Sequence, residues 1–142
     1  MGNCIPFFYL CNLKRQKTMK SIIYVFIGGG TGSVLRYLMQ MVINRNIITA
    51  FPLGTFVVNI IGCMLIGMFY TLSDRFNLSQ DIRLLLTVGL CGGFTTFSTF
   101  STESLNLLKG ELYGMSLLYT LSSVAIGIIF TFAGIWLGKN LF

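Results

Sequence analysis

Residues 95–102 read TTFSTFST, a run of six hydroxyl side chains and two phenylalanines. The run follows a glycine pair at 92 and 93 and lies in an apolar stretch between Arg83 and Glu103. Hydrocarbon offers no partners to hydroxyls or to backbone groups freed at a helix break, and each unsatisfied group costs several kcal/mol. Polar, irregular backbone is tolerated at membrane depth only where it is buried in protein or lines a cavity. The stretch therefore predicts the wall of a pathway.

The rest of the chain indicates an all-α integral membrane protein. Of its 142 residues, 54% are hydrophobic and only 10% are charged, whereas soluble domains carry about 25% charged residues. Uncharged runs at 21–35, 46–73, 84–102 and 112–138 fit helices of about 20 residues that cross a bilayer. We expect four spans with no extramembrane domain, and four helices of this size enclose a pore poorly unless they oligomerise. The predicted spans are 21–43, 51–73, 83–107 and 113–138.

The side chains available for catalysis are few, so we expect a protein that is not an enzyme. There is no histidine, and the four acidic residues fall in loops or near predicted helix ends: Asp74, Asp81, Glu103 and Glu111. General acid–base chemistry has almost nothing to work with. The four cysteines show no CxxC spacing, and we expect those inside spans, Cys63 and Cys91, to pack as small hydrophobic residues.

The first eighteen residues differ from the remainder and lie outside the predicted channel domain at 19–142. A short apolar patch at 5–10 precedes a basic cluster of Lys14, Arg15 and Lys17, which is the reverse of the order in a signal peptide. We interpret residues 1–18 as an upstream start or a dispensable, disordered tail. The alternative is an anchor at the membrane surface.

The distribution of positive charge bears on how the protein inserts. Counted from Met19, four basic residues fall on one side of the membrane and three on the other: Lys20, Arg75, Arg83 and Lys139 against Arg36, Arg45 and Lys109. That difference gives almost no positive-inside bias, so the chain can insert either way and two copies can pair as an antiparallel dimer. Adding the basic cluster of residues 1–18 makes the count seven against three and favours one orientation.

Two polar side chains stand out in the first two spans. Arg36 lies near the far end of the first span, where it is either an interfacial anchor or a cation at a pore vestibule that attracts anions. Asn59 is the strongly polar residue deep in the second span. Its amide either bonds a neighbouring helix or donates to a passing anion.

The third and fourth spans carry the remaining pathway candidates. The glycines at 89, 92 and 93 weaken the third helix, so we expect it to be broken at mid-membrane, where broken helices place ion sites. Alternatively, these glycines serve packing and the hydroxyls bond back to helical carbonyls. Phe97 and Phe100 share a face by their spacing, and the positive edges of their rings are suited to an anion. Tyr119 and Ser123 form a polar row on the fourth span that continues to Gly127.

Three motifs in this order closely resemble the CrcB/Fluc family of fluoride channels: GGGTGSVLRY at 28–37, PLGTFVVNIIG at 52–62 and GLCGGFTTFSTFSTE at 89–103. The resemblance covers residues 20–140. It implies a fluoride-selective channel that exports the ion across the plasma (inner) membrane. It also implies an antiparallel, dual-topology homodimer with two pores, in agreement with the charge count.

The resemblance further implies roles for individual residues. The backbone carbonyls of Gly92 and Thr95 would hold a structural Na⁺ at the dimer centre. Arg36 would lie at the vestibule and Glu103 would be a structural acid, while Gly127 replaces a serine that other members can carry. The pore residues implied in this way are Asn59, Thr96, Phe97, Ser98, Phe100, Tyr119 and Ser123.

Two other readings compete with the channel. A small proton-coupled multidrug exporter also has four spans and dual topology, but it needs a membrane-embedded carboxylate, and neither of the first two spans offers one. A helical scaffold would use the glycines and hydroxyls for interfaces alone and would pass no ion. The expected partners are fluoride, the lipid bilayer and a second copy or a homologue of opposite orientation, with no nucleic acid.

Overall fold

A computed structural model describes residues 7–47 and 49–140, with side chains described from Thr18 onward. The chain forms α1 (Phe7–Asn46), α2 (Leu53–Arg75) and a composite third segment, followed by α6 (Tyr113–Asn140). The third segment comprises α3 (Gln80–Leu84), a π-helical stretch (Leu85–Cys91), α4 (Gly92–Phe94) and α5 (Phe97–Lys109).

Four helical segments are long and apolar enough to cross a membrane, which confirms the predicted multi-pass, all-helical architecture. They are Thr18–Asn46, Leu53–Arg75, Gln80–Lys109 and Tyr113–Asn140. Each contains most of the corresponding predicted span and differs from it by only a few residues at the ends. Helix α1 begins at Phe7 and continues into the first span, while residues 1–6 of the predicted leader lie outside the described residues.

Helices α2 and α6 pack closely because glycines line their contact. A Cβ atom at Gly134 would overlap the carbonyl oxygen of Met64, and one at Gly67 would overlap that of Thr131. At the end of the pair, a Cβ at Gly138 would lie 2.9 Å from the Cβ of Thr71. Small residues let membrane helices approach until their backbones touch, which is how such helices gain packing energy.

Helix α1 packs on the third segment in the same way. A Cβ at Gly28 would overlap the carbonyl oxygen of Leu85, and one at Gly32 would overlap that of Leu90. On the facing side, a Cβ at Gly93 would lie 2.9 Å from the Cα of Gly29. Two helices therefore hold the third segment: α1 contacts it through its glycines, and α2 through the hydrogen bonds described next.

Candidate functional site at the interrupted third segment

The third segment leaves helical geometry at two consecutive threonines. Thr95 has φ −80° and ψ 159°, and Thr96 has φ −148° and ψ 117°. The hydroxyl of Thr96 caps α5 by accepting from the backbone N–H of Thr99 at 3.2 Å, and the hydroxyl of Thr95 donates to the carbonyl of Cys91 at 2.9 Å. Threonine favours such a cap because its side chain substitutes for a missing helical partner.

The side chain of Asn59 on α2 completes the backbone hydrogen bonding of Thr96. Its Oδ1 accepts from the Thr96 N–H at 2.9 Å, and its Nδ2 donates to the Thr96 carbonyl at 3.2 Å. An asparagine amide offers the same donor and acceptor as a peptide group. The interhelical bond foreseen for Asn59 is therefore present, and a second N–H of the same amide remains for another acceptor.

Helix α1 also contacts the third segment next to the break. The Nε of Arg36 donates to the carbonyl of Gly93 at 3.2 Å, and the hydroxyl of Ser33 donates to the same oxygen at 3.4 Å. Arg36 thus reaches the break with one guanidinium nitrogen. Its vestibule role stays a prediction.

Two carbonyl oxygens at the break lose their usual donors. In a continuous helix, the carbonyl of Gly92 would accept from the N–H of Thr96 and that of Thr95 from the N–H of Thr99. Here the Thr96 N–H donates to Asn59 and the Thr99 N–H donates to the Thr96 hydroxyl. A Cβ at Gly92 would find no atom within 4 Å, so the space beside it is open. Free carbonyl oxygens of this kind suit a hard cation.

A row of aromatic rings extends from the break toward α6. The centroid of Phe97 lies 5.6 Å from that of Phe100, which lies 5.0 Å from that of Tyr119. The ring of Phe51 then meets Tyr119 edge-on at 5.3 Å. The shared face predicted for Phe97 and Phe100 is confirmed, and Phe97 is 79% exposed at the end of the row.

A hydrogen-bonded cluster lies at the inner end of this row. The hydroxyl of Tyr119 donates to Oε2 of Glu103 at 2.8 Å, and the hydroxyl of Thr55 donates to Oε1 at 2.7 Å. The amide of Gln40 in turn donates to the Thr55 hydroxyl at 3.0 Å. The sequence reasoning missed Thr55 and Gln40. Thr55 precedes Asn59 by four residues on α2, and Gln40 follows Arg36 by four residues on α1, so each pair shares a helix face. This spacing is the sequence signal that indicates Thr55 and Gln40.

Two serines complete the set of predicted site residues. The hydroxyl of Ser98 lies 3.3 Å from that of Thr96. The hydroxyl oxygen of Ser123 is buried and has no hydrogen-bond partner among the described residues. It follows Tyr119 by four residues on α6, so the two lie on one face. A buried hydroxyl without a partner is costly, and it is available to a bound ion.

The structure brings part of the predicted set into a single groove of about 330 Å³ between α2 and the third segment. Five predicted residues line it: Asn59, Gly92, Thr95, Thr96 and Phe97. Cys63 and Cys91 line the same groove. The remaining predicted residues do not line this groove: Arg36 lies on α1, Ser98 and Phe100 lie on α5, and Tyr119 and Ser123 lie on α6.

Comparison with known proteins identifies similar chains. Residues 23–135 match the family model described as "CrcB-like protein, Camphor Resistance (CrcB)". A protein of Phocaeicola vulgatus named fluoride-specific ion channel FluC is 59% identical over 121 residues, covering 85% of this chain and 100% of the relative. A protein of the same name from Bacteroides fragilis is 56% identical, in an alignment that covers 86% of this chain and 98% of the relative. Another from Flavobacterium psychrophilum is 46% identical, in an alignment that covers 87% of this chain and 100% of the relative.

Proposed function

The chain belongs to the CrcB/Fluc family, and from this premise we propose that it is a fluoride-selective passive channel that lowers cytoplasmic fluoride by export across the plasma membrane. The relatives named fluoride-specific ion channel support fluoride as the ion that passes. The observation that carries the mechanism is the row of rings and hydroxyls beginning at the break. Fluoride is small and strongly hydrated, so a selective path must replace its water with donors at close range.

The donors for the anion come from three kinds of group along the row. Ring edges of Phe97 and Phe100 carry the positive part of the aromatic quadrupole, and the exposed Phe97 ring leaves room for such a contact. The second amide N–H of Asn59 adds a donor, and the hydroxyls of Ser98 and Ser123 add two more. The buried, unpartnered hydroxyl of Ser123 supports its place on the path, because it can donate a hydrogen bond to a passing anion.

The scarcity of titratable groups at depth supports passive flux. A proton-coupled transporter uses an intramembrane carboxylate or histidine. The chain has no histidine, and the first and fourth spans contain no acidic residue. The carboxylate of Glu103 already accepts two hydroxyl hydrogen bonds, from Thr55 and Tyr119, which supports a structural role for this acid.

The carbonyls of Gly92 and Thr95 would hold a structural Na⁺, with the matching carbonyls of a second, oppositely oriented copy. Their diverted donors and the open space beside Gly92 support this assignment, whereas the carbonyl of Gly93 is occupied by Arg36. The bound cation would supply positive charge at the dimer centre. The break begins fifteen residues into Gln80–Lys109, about half-way along the segment, which supports a site near the bilayer midplane.

The experiment that tests this proposal is fluoride efflux from liposomes that contain the purified protein. A fluoride electrode follows release without a proton gradient, and a chloride electrode follows a parallel sample. We expect rapid fluoride release and little chloride release. Equal release of the two ions would refute selectivity, dependence on a proton gradient would favour an exporter, and no release from a folded dimer would favour a scaffold.

A further inference from the structure

A second cavity lies at the other end of the α2–α6 pair, away from the break. It has a volume of about 560 Å³ and is lined by Tyr70, Thr71, Asp74, Arg75, Ile135 and Lys139. Its walls combine an aromatic ring and an aliphatic side chain with two basic groups. An amphipathic ligand with a negative head is complementary to such a surface.

The positive charges of this cavity are available to a ligand. One terminal nitrogen of Arg75 donates to the carbonyl of Lys139 at 2.9 Å, which fixes the guanidinium and leaves its other N–H groups to bind. The acidic residue in the wall, Asp74, is paired with Arg83 at 3.0 Å. Among residues 18–47 and 49–140, the ammonium of Lys139 has no ion-pair partner.

The position of the cavity matches the membrane surface. The uncharged runs at 46–73 and 112–138 end there, and Arg75 and Lys139 are the first basic residues beyond them. Tyr70 is 46% exposed and Trp136 is 64% exposed, as in the aromatic belts that mark membrane interfaces. Basic pockets between transmembrane helices at this level bind anionic lipid headgroups.

We propose that this cavity binds the phosphate of an anionic phospholipid, with Arg75 and Lys139 as the two ligands for the headgroup. The lipid is favoured over free phosphate because the basic groups share the cavity wall with Ile135, and Phe132, one turn before Ile135 on α6, is 67% exposed. An acyl chain can lie on this apolar surface. The simpler account is that both basic residues only complement the negative ends of α2 and α6, and the experiment separates the two.

The chain provides its own reporter, because its single tryptophan is Trp136, one residue from Ile135 and less than one turn before Lys139. The full chain is reconstituted in liposomes that contain equal fractions of brominated phosphatidylglycerol or brominated phosphatidylcholine, and quenching of Trp136 fluorescence is compared. We expect stronger quenching by the anionic lipid. Each basic residue near the surface contributes about a fivefold preference, so Lys139→Gln should reduce the preference about fivefold and Arg75→Gln with Lys139→Gln should abolish it.

Two control measurements, one on a variant and one with added phosphate, complete the experiment. Lys109→Gln removes one exposed positive charge at the opposite end of the bundle and should leave the preference unchanged. Added inorganic phosphate should not relieve quenching in the unaltered protein. Equal quenching by both lipids, retention of the preference in Lys139→Gln, or an equal loss in Lys109→Gln would each overturn the proposal. Relief by millimolar phosphate would show a free-anion site instead.

Discussion

At the scale of single residues, the most informative contact is that between Asn59 and the backbone of Thr96. The side chain supplies the donor and the acceptor that the broken helix lacks. A polar residue deep in the second span could be recognised from sequence as needing a partner. Its partner could not, because the contact depends on how α2 and the third segment pack, and the local sequence does not encode that.

Substituting Asn59 by aspartate tests this contact and the anion path together. The Thr96 N–H would keep its acceptor, but the Thr96 carbonyl would lose its donor and face a negative charge. We expect Asn59→Asp to reduce fluoride efflux at least tenfold. Asn46→Asp places the same charge on an exposed residue at the end of α1 and should leave efflux near the unaltered level. Full activity in Asn59→Asp would mean that Asn59 serves packing alone.

Substitutions of the two phenylalanines of the third segment should differ in their effect on the stability of the protein, although both should slow fluoride flux. Phe97 is 79% exposed, whereas Phe100 lies between Phe97 and the buried Tyr119. An aromatic pair contributes about 0.5–1.5 kcal/mol, so Phe100→Ala should lower the midpoint of thermal unfolding more than Phe97→Ala. Both variants should slow fluoride efflux. Unchanged flux in both would remove the rings from the mechanism.

At the scale of elements, the sequence predicted a third helix broken at mid-membrane by its glycines. The structure interrupts the segment at other residues, and the depth of that interruption in the membrane stays a prediction. The glycines at 92 and 93 remain helical, and the extended residues are Thr95 and Thr96. Gly93 is used for contact with Gly29 on α1, so the packing interpretation of the glycines is partly correct. The break falls on the threonines because Asn59 and the Thr96 hydroxyl offer partners there. These are contacts that composition alone does not reveal.

The α2–α6 contact provides a prediction for a whole element. A Cβ at Gly134 would overlap the Met64 carbonyl, and overpacking of a tight contact costs about 1–3 kcal/mol. We expect Gly134→Ala to lower thermal stability and to weaken assembly in detergent, as measured by unfolding and size-exclusion chromatography. Gly114→Ala is the matched control, because no atom lies within 4 Å of its Cβ position. A stable Gly134→Ala protein would show that the two helices can separate without loss.

At the scale of the whole molecule, four spans and their order were accessible from sequence because uncharged length is a local property. The pairing of α2 with α6 and of α1 with the third segment was not, since many helices carry glycines that would permit other pairings. The antiparallel dimer stays a proposal. It is supported by the near-equal distribution of positive charge on the two sides of the core.

Removal of residues 1–18 should change the orientation of the protein in the membrane. The deletion lowers the difference in basic residues from seven against three to four against three, and basic residues near span ends set orientation. We expect a reporter at the C-terminus to mark both sides about equally for residues 19–142 and both sides unequally for the full chain, so that copies of each orientation remain for antiparallel pairing. Replacement of Lys14, Arg15 and Lys17 by glutamine should reproduce the deletion. An identical orientation in all three would show that these charges have no influence.

The interruption at Thr95–Thr96 has an electrostatic consequence for a protein with so few charged side chains. It ends one helical dipole and begins another. The carbonyl end of the first is equivalent to about half a negative elementary charge, and the amide end of the second to about half a positive one. The two ends lie within two residues of each other. The negative end faces the proposed cation position and the positive end leads to Phe97. A continuous helix would cancel both fields at these residues. The same two threonines therefore make one short stretch of backbone attractive to a cation and to an anion, without burying a formal charge.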